Sequence, residues 1–250
     1  MMNVSVVKNV VNLQRNYFNK DAIKRNNEKK TLLLDFDGVI MRNNGVMKKV
    51  EEASTHYCMR YMKNVSFDYA REFNRLNYAK YGHTVVMLKE VFGVEATLDE
   101  YNDIVFGEIL NYKEIKGMLT NEDMKHAELI SKVISDTRGK GGICSIFTNG
   151  CSKWIFEMNK LIGMEADFTN DLYSCDILPR IKPDNKAYRY VEKELRKKNA
   201  VGPYYFIDDS KKNLRYCEET LKNMYDIVDD ETPVWIPILY TGNDDIFYMF

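Results

Sequence analysis

The chain has 250 residues, 45% of them hydrophobic and 29% charged, with a formal net charge of −1. Such a chain can bury one large core, or a core with an inserted lobe, and its composition is that of a globular protein. The near-neutral balance offers no basic field for a nucleic-acid polymer, and no apolar stretch approaches the length of a membrane span.

Residues 1–30 carry seven Lys/Arg against two acids, whereas residues 226–250 carry six acids and no Lys/Arg. We read these as solvated ends that offset each other, not as partner-binding tails. The first twenty residues are acid-poor and weakly amphipathic, a pattern that a transit peptide shares. Our reading is an N-terminal extension, 1–30, forming a helix packed on the domain or a loose arm.

The first strand is expected at TLLL, residues 31–34, which runs straight into Asp35, Asp37 and Gly38. If the strand continues, residues i and i+2 share a face, so Asp35 and Asp37 stand side by side and raise each other's pKa. From 41 to 120 no buried strand is evident. Segments such as VEEASTHYCMRYMKNV and FDYAREFNRLNYAKYG place Tyr, Phe, Met and Leu at helical spacing, which predicts a helical lobe.

Strand and helix then alternate. GGICSIFTNG reads as a strand ending at Thr148 to Gly150, and SKWIFEMNKLIG as a helix stopped by Gly163. After IKPDNK a helix is expected over 187–198. YYFIDDS reads as a short strand ending in Asp208 and Asp209, KKNLRYCEETLKNM as a helix, and PVWIPILY as a last strand, at an edge because of Pro233 and Pro237. This alternation predicts an α/β fold, a parallel sheet covered on both faces, with the helical lobe inserted after the first strand.

Ligands of such sheets bind outside the carboxyl ends of the strands. Along the chain those ends offer Asp35 and Asp37, then Thr148 and Asn149, then Lys182 in a loop, then Asp208 and Asp209. Four aspartates around one lysine call for a cation, and a set of oxygen donors suits Mg2+ with a phosphate substrate. Asp35 would then have one oxygen on the metal and the other free to attack phosphorus, while Asp37 acts as general acid and then base. The Thr148 hydroxyl, nearby backbone N–H groups and the Lys182 ammonium would hold phosphoryl oxygens. His56, His83 and His126 lie in the helical stretch, away from these motifs; His83 is read as a packing residue, with a reach toward substrate as the second reading.

Taken together, DFDGV, FTN, the lysine of IKPD and the DD of FIDDS resemble the four motifs of the haloacid dehalogenase-like (HAD) superfamily of phosphohydrolases, in family order over 31–240. The resemblance implies a Rossmann-like core, 31–40 and 121–250, with an all-helical cap of the C1 type at 41–120. It implies Asp35 as nucleophile, Asp37 as acid/base and a backbone-carbonyl metal ligand, Thr148, Asn149 and Lys182 at the phosphate, and Asp208 and Asp209 at Mg2+. Asp209 is favoured as the direct ligand, with Asp208 direct or through water. YAKYGHTVVML, FTNG, LYSCDI and YYFIDDSKKN also look like the pyrimidine 5′-nucleotidase-like branch, although Val39-Ile40-Met41 stands where that branch commonly has Thr-Leu-Tyr.

The expected function is a Mg2+-dependent phosphomonoesterase working through an aspartyl-phosphate, on nucleoside 5′-monophosphates or, alternatively, sugar phosphates or other small metabolites. A receiver-like or catalytically silent phosphate-binding module is the reading outside enzymes, but receivers carry the acidic pair first in the chain. A DxD glycosyltransferase would not explain Thr148, Lys182 and the Asp208–Asp209 pair. Five scattered cysteines without CxxC spacing argue for reduced thiols in a cytoplasmic setting. The expected partner is a small phosphorylated metabolite, with no nucleic-acid polymer and no membrane.

Overall fold

A computed structural model describes residues 29–164, 168, 171–200, 203–223 and 235–250. The readings made for residues 1–28, for Pro233 and for the acids at 226–231 lie outside the described residues.

The strands are β1 (Thr31–Leu34), β2 (Ile143–Phe147), β3 (Leu172–Tyr173), β4 (Tyr204–Asp208) and β5 (Trp235–Leu239). They form one parallel sheet in the order β3-β2-β1-β4-β5. The strands are apolar at nearly every position because both faces are covered. Leu32, Leu34, Ile146 and Ile207 face one core, with Ile130 and Ile134 from α6 (Asn121–Gly139) and Ile155 from α7 (Ser152–Leu161). Leu33, Tyr204 and Phe206 face the other, with Tyr188 and Val191 from α8 (Asn185–Lys197) and Leu214 from α9 (Lys211–Asn223). Strand β5 lies at an edge, where Pro237 can do without a ladder N–H, as expected.

Register decides where the polar residues emerge. Leu34 pairs with both Ile146 and Ile207, so the central three strands end level. Asp35, Thr148 and Asp208 therefore arrive at one rim.

Between β1 and α6 the described residues hold no strand, only an isolated bridge of Asp37 with Met41. The insertion is helical: α1 (Asn44–Met59), α2 (Phe67–Tyr81), α3 (Thr84–Phe92), α4 (Leu98–Asn102) and α5 (Tyr112–Met118), with a π-helical turn at Asp103–Ile109. Asn43 and Ser66 cap α1 and α2 by accepting from Val46 N and Tyr69 N, as polar residues at those positions should. Asn43 also donates to Met118 O at 3.2 Å and to Asp123 Oδ2 at 2.7 Å, tying together the two points where the chain enters and leaves the insertion.

The insertion packs down over the rim. Phe106 meets Trp154 of α7 with ring centroids 5.5 Å apart. Gly82, the left-handed cap of α2, lies so near Lys182 that a Cβ there would be 3.3 Å from its carbonyl oxygen. Lys212 Nζ donates to Lys80 O at the end of the same helix.

Candidate active site

The chain leaves β1 through a tight turn. Phe36 O accepts from both Ile40 N at 2.9 Å and Met41 N at 2.8 Å, and Gly38 N donates to Met41 O at 2.8 Å. Gly38 has φ +84, and a Cβ there would sit 2.2 Å from Asp209 Oδ2. Glycine is thus required twice, by conformation and by the approach of Asp209. The strand stops at Leu34, so Asp35 and Asp37 are not neighbours on a pleat as strand alternation predicts. Both nevertheless line one cavity of about 710 Å3 at the rim, with Thr148, Asn149 and Asp209.

Asp35 is 6% exposed. Its Oδ1 accepts from Phe36 N at 2.7 Å and lies 3.0 Å from Lys182 Nζ; its Oδ2 has no partner among the described residues. Lys182 is wholly buried, and its ammonium also donates to Asp208 Oδ2 at 2.6 Å and to Phe147 O at 2.8 Å. Burial alone would lower the Lys182 pKa; the Asp208 and Asp35 carboxylates reverse this and raise it. The three contacts occupy its three protons. Lys182 therefore stands behind Asp35, is not among the residues lining the cavity, and spends its contacts here on the two carboxylates and Phe147 O.

Asn149 lines the cavity and is also tied to the lysine loop. Its Nδ2 donates to Lys182 O at 2.9 Å and its Oδ1 accepts from Lys182 N at 2.8 Å. This paired bond makes Asn149 a positioning residue for the lysine loop. Thr148 Oγ1 accepts from Gly150 N at 3.0 Å, which leaves its hydroxyl proton for a ligand.

Asp208 Oδ1 accepts from Ser210 N at 2.8 Å, and Asn213 Nδ2 donates to both of its oxygens at 3.1 and 3.0 Å. Carboxylate oxygens of Asp35, Asp208 and Asp209 all lie within 4.8 Å of one another. The crowding raises the Asp35 pKa well above its ordinary value, first through burial and then through Asp208, against the opposing pull of Lys182. The Asp209 carboxyl is raised by burial and by Asp208. A trio of hard oxygen donors, two buried and the third, Asp209, open to the cavity, fits a divalent cation such as Mg2+. The Asp37 side chain is outside this trio, so a part for Asp37 at the metal rests on its backbone carbonyl.

Asp37 Oδ1 accepts from Trp154 Nε1 at 2.9 Å. Burial pushes its pKa up to about 6, against the lowering effect of the Trp154 bond. Such a group exchanges a proton near neutral pH.

No family model and no curated protein matches this chain. Among solved structures, the chain is similar to a HAD phosphatase from Thermococcus onnurineus, with TM-score 0.46 and 16% identity over 84% of this chain and 93% of that one. It is also similar to a protein provisionally assigned as a beta-phosphoglucomutase from Thermotoga maritima, with TM-score 0.45 and 17% identity over 88% of this chain and 90% of that one.

Sequence reasoning names neither Trp154 nor Tyr78 as site residues. Trp154 falls on the helical stripe that already predicts burial, and nothing local marks its indole N–H as a partner for Asp37. Tyr78 lines the cavity and keeps 47% of its surface accessible. The histidines stay outside the rim cluster. His126 Nε2 is 2.8 Å from Val39 O, and the His56 ring lies tilted against Phe67 with centroids 4.9 Å apart. His83 caps α3, where its Nδ1 accepts from Val85 N at 3.1 Å.

Proposed function

We propose that the chain is a HAD-type phosphomonoesterase that uses Mg2+ and an aspartyl-phosphate intermediate, with a small phosphorylated metabolite as substrate and a nucleoside 5′-monophosphate as the preferred class. The observation that carries this reading is Asp35, with Oδ1 held by Lys182 and Phe36 N and Oδ2 free beside Asp208 and Asp209.

In this reading Asp35 Oδ2 attacks phosphorus and the P–O bond to the leaving group breaks. Asp37 gives its proton to the leaving oxygen. A water then attacks the aspartyl-phosphate, Asp37 takes the water's proton, and inorganic phosphate leaves with Asp35 restored. Lys182 opposes the burial and crowding that raise the Asp35 pKa and aligns its carboxylate, and Thr148 donates to a phosphoryl oxygen. Asp35, Asp208, Asp209 and the Asp37 carbonyl would hold Mg2+, which supplies charge neutralisation for the phosphoryl group. Residues 41–120 act as the cap and residues 31–40 with 121–250 as the core. The helices over the rim exclude bulk water and large substrates.

Sugar phosphates form the second reading, favoured by the polar side chains Ser54, Asn74 and His83 that line the space under the helices. All five cysteines are free and buried, which supports a reducing compartment such as the cytoplasm. No helix among the described residues is long and apolar enough to cross a membrane.

The test is phosphate release from a panel of nucleoside 5′-monophosphates and sugar phosphates, with Mg2+ or with EDTA, alongside Asp35→Asn. Mg2+-dependent release that disappears in the variant is expected. Release that survives EDTA or survives Asp35→Asn overturns the mechanism, and no release from any ester favours a silent phosphate-binding module.

A further inference from the structure

The turn that carries Asp37 is closed by its own backbone, through the bonds of Phe36 O with Ile40 N and Met41 N and of Gly38 N with Met41 O. Val39 O takes no part in these bonds. Val39 is wholly buried, and the one partner of its carbonyl among the described residues is His126 Nε2, 2.8 Å away on α6. A carbonyl only accepts, so Nε2 carries the ring proton.

His126 is 2% exposed and has no other hydrogen bond among the described residues. Its Nδ1 stands 3.2 Å from Asp244 Oδ1 without forming one. The ring is pinned by Tyr240, stacked at 6.3 Å between centroids, and by Phe247, edge-on at 5.9 Å. Ala127 and Ile130 of the same helix lie in the core against the sheet, so the donor stands on a rigid element. Arg42, just after the turn, is tied to the same place. Its Nη1 donates to Tyr240 Oη at 3.0 Å and to Asp244 Oδ1 at 2.9 Å, and Tyr240 Oη donates to Asp244 Oδ1 at 2.7 Å. The segment bearing Asp37 is therefore moored at Val39 and at Arg42 to one cluster of buried rings and a carboxylate.

We propose that His126 is a positioning residue, whose Nε2–H, acting through Val39 O, sets the turn that aims Asp37 at the leaving-group oxygen. This inference rests on the phosphomonoesterase reading. His126 lines neither the catalytic cavity nor the space under the helices, so it acts only through the turn. Trp154 Nε1 fixes the Asp37 carboxyl from one side at 2.9 Å, and Val39 fixes the backbone beneath it. A general acid works only within hydrogen-bond reach of the oxygen it protonates, and a displacement of about 1 Å can cost about a hundredfold. Without its donor, Val39 O is a buried acceptor left unpaired, and the turn shifts to satisfy it.

The experiment measures kcat/KM for uridine 5′-monophosphate and ribose 5-phosphate, whose leaving alcohols need a proton, and for p-nitrophenyl phosphate, whose phenolate leaves without one. His126→Leu fills the space and removes the donor; His126→Gln keeps an amide N–H at the reach of Nε2. In the leucine variant kcat/KM for the two alkyl esters should fall about tenfold or more, while that for p-nitrophenyl phosphate changes by less than about threefold. The glutamine variant should recover most of the loss. The ratio between esters in one preparation is independent of how much protein is folded, so reduced stability alone leaves it unmoved. An equal fall for all three esters, no fall, or a loss in the glutamine variant as large as in the leucine variant overturns this inference and leaves the phosphatase reading standing. Wild-type release from p-nitrophenyl phosphate alone also overturns it, because no proton then reaches an alkyl leaving group. No release from any of the three overturns both.

Discussion

Lys182 Nζ donates to Asp208 Oδ2 at 2.6 Å, and neither side chain is exposed to solvent. The same ammonium lies 3.0 Å from Asp35. Removing one partner of a buried pair strands the other's charge, which costs about 3–5 kcal/mol. Lys182→Met should therefore unfold at markedly lower denaturant and lose phosphatase activity. Adding Asp208→Asn to Lys182→Met should recover part of the stability, because an amide needs no counter-charge, but none of the activity. Denaturant titration of the single and double variants checks this; equal midpoints would show that charge pairing is not what the lysine supplies.

Gly38 is the point where backbone and metal site meet. Alanine there must hold φ +84 and place its Cβ 2.2 Å from Asp209 Oδ2. The conformation alone costs about 1–2 kcal/mol. The Asp209 carboxylate must also move. Gly38→Ala should weaken Mg2+ binding by more than it weakens the fold, as calorimetric titration of Mg2+ beside thermal melting would show. Unaltered Mg2+ affinity would mean that Asp209 is not held where the cation binds.

The carboxylates of Asp35, Asp208 and Asp209 repel one another in the absence of a cation. A ligand that binds only the folded state adds about 2.7 kcal/mol at one hundred times its Kd. At a chain length of 250 residues Mg2+ should raise Tm by roughly 5–10 °C. Asp209→Asn should shrink that increment while raising Tm in metal-free buffer, since it removes one repelling charge. Differential scanning fluorimetry across a Mg2+ series reads both effects, and a Tm indifferent to Mg2+ would sink the proposed cation site.

Much of the architecture was legible because its signals are local. LLLDFD, ICSIFTN and YYFIDD are apolar runs ending in polar groups, and parallel register then brings those ends level. The helical stretches after residue 41 show their stripes, although α1 begins at Asn44, earlier than the apolar pattern suggests, because Asn43 caps it. Strand β3 was not legible, since Leu172–Tyr173 is too short to show a period and exists only by pairing with Ile146 and Phe147. The π-helical turn at Asp103–Ile109 likewise leaves no distinct pattern. At the site, residue types were readable but their partners were not. Lys182 bonds across 26 residues to Asp208, and Trp154 across 117 to Asp37, and separations of that kind are set by the fold.

His83 couples the helical insertion to pH. Its folded-state pKa, about 4, is depressed by burial below the ordinary value of 6.5. Above pH 6.5 the ring is neutral in both states and contributes nothing to the pH slope. As pH falls from 6.5 toward 4 the unfolded chain binds a proton that the folded chain refuses, so stability drops, by about 3 kcal/mol once both states are protonated. The raised carboxyl of Asp37 works in the opposite direction, because its folded form takes up a proton first. Comparing the wild-type chain with His83→Asn isolates the histidine, since asparagine can still accept from Val85 N and does not titrate. The difference in unfolding free energy between the two should change by that amount from pH 7 to pH 4, in favour of the variant at the acid end. Parallel pH curves for the two proteins would show that His83 is not held neutral beneath the insertion.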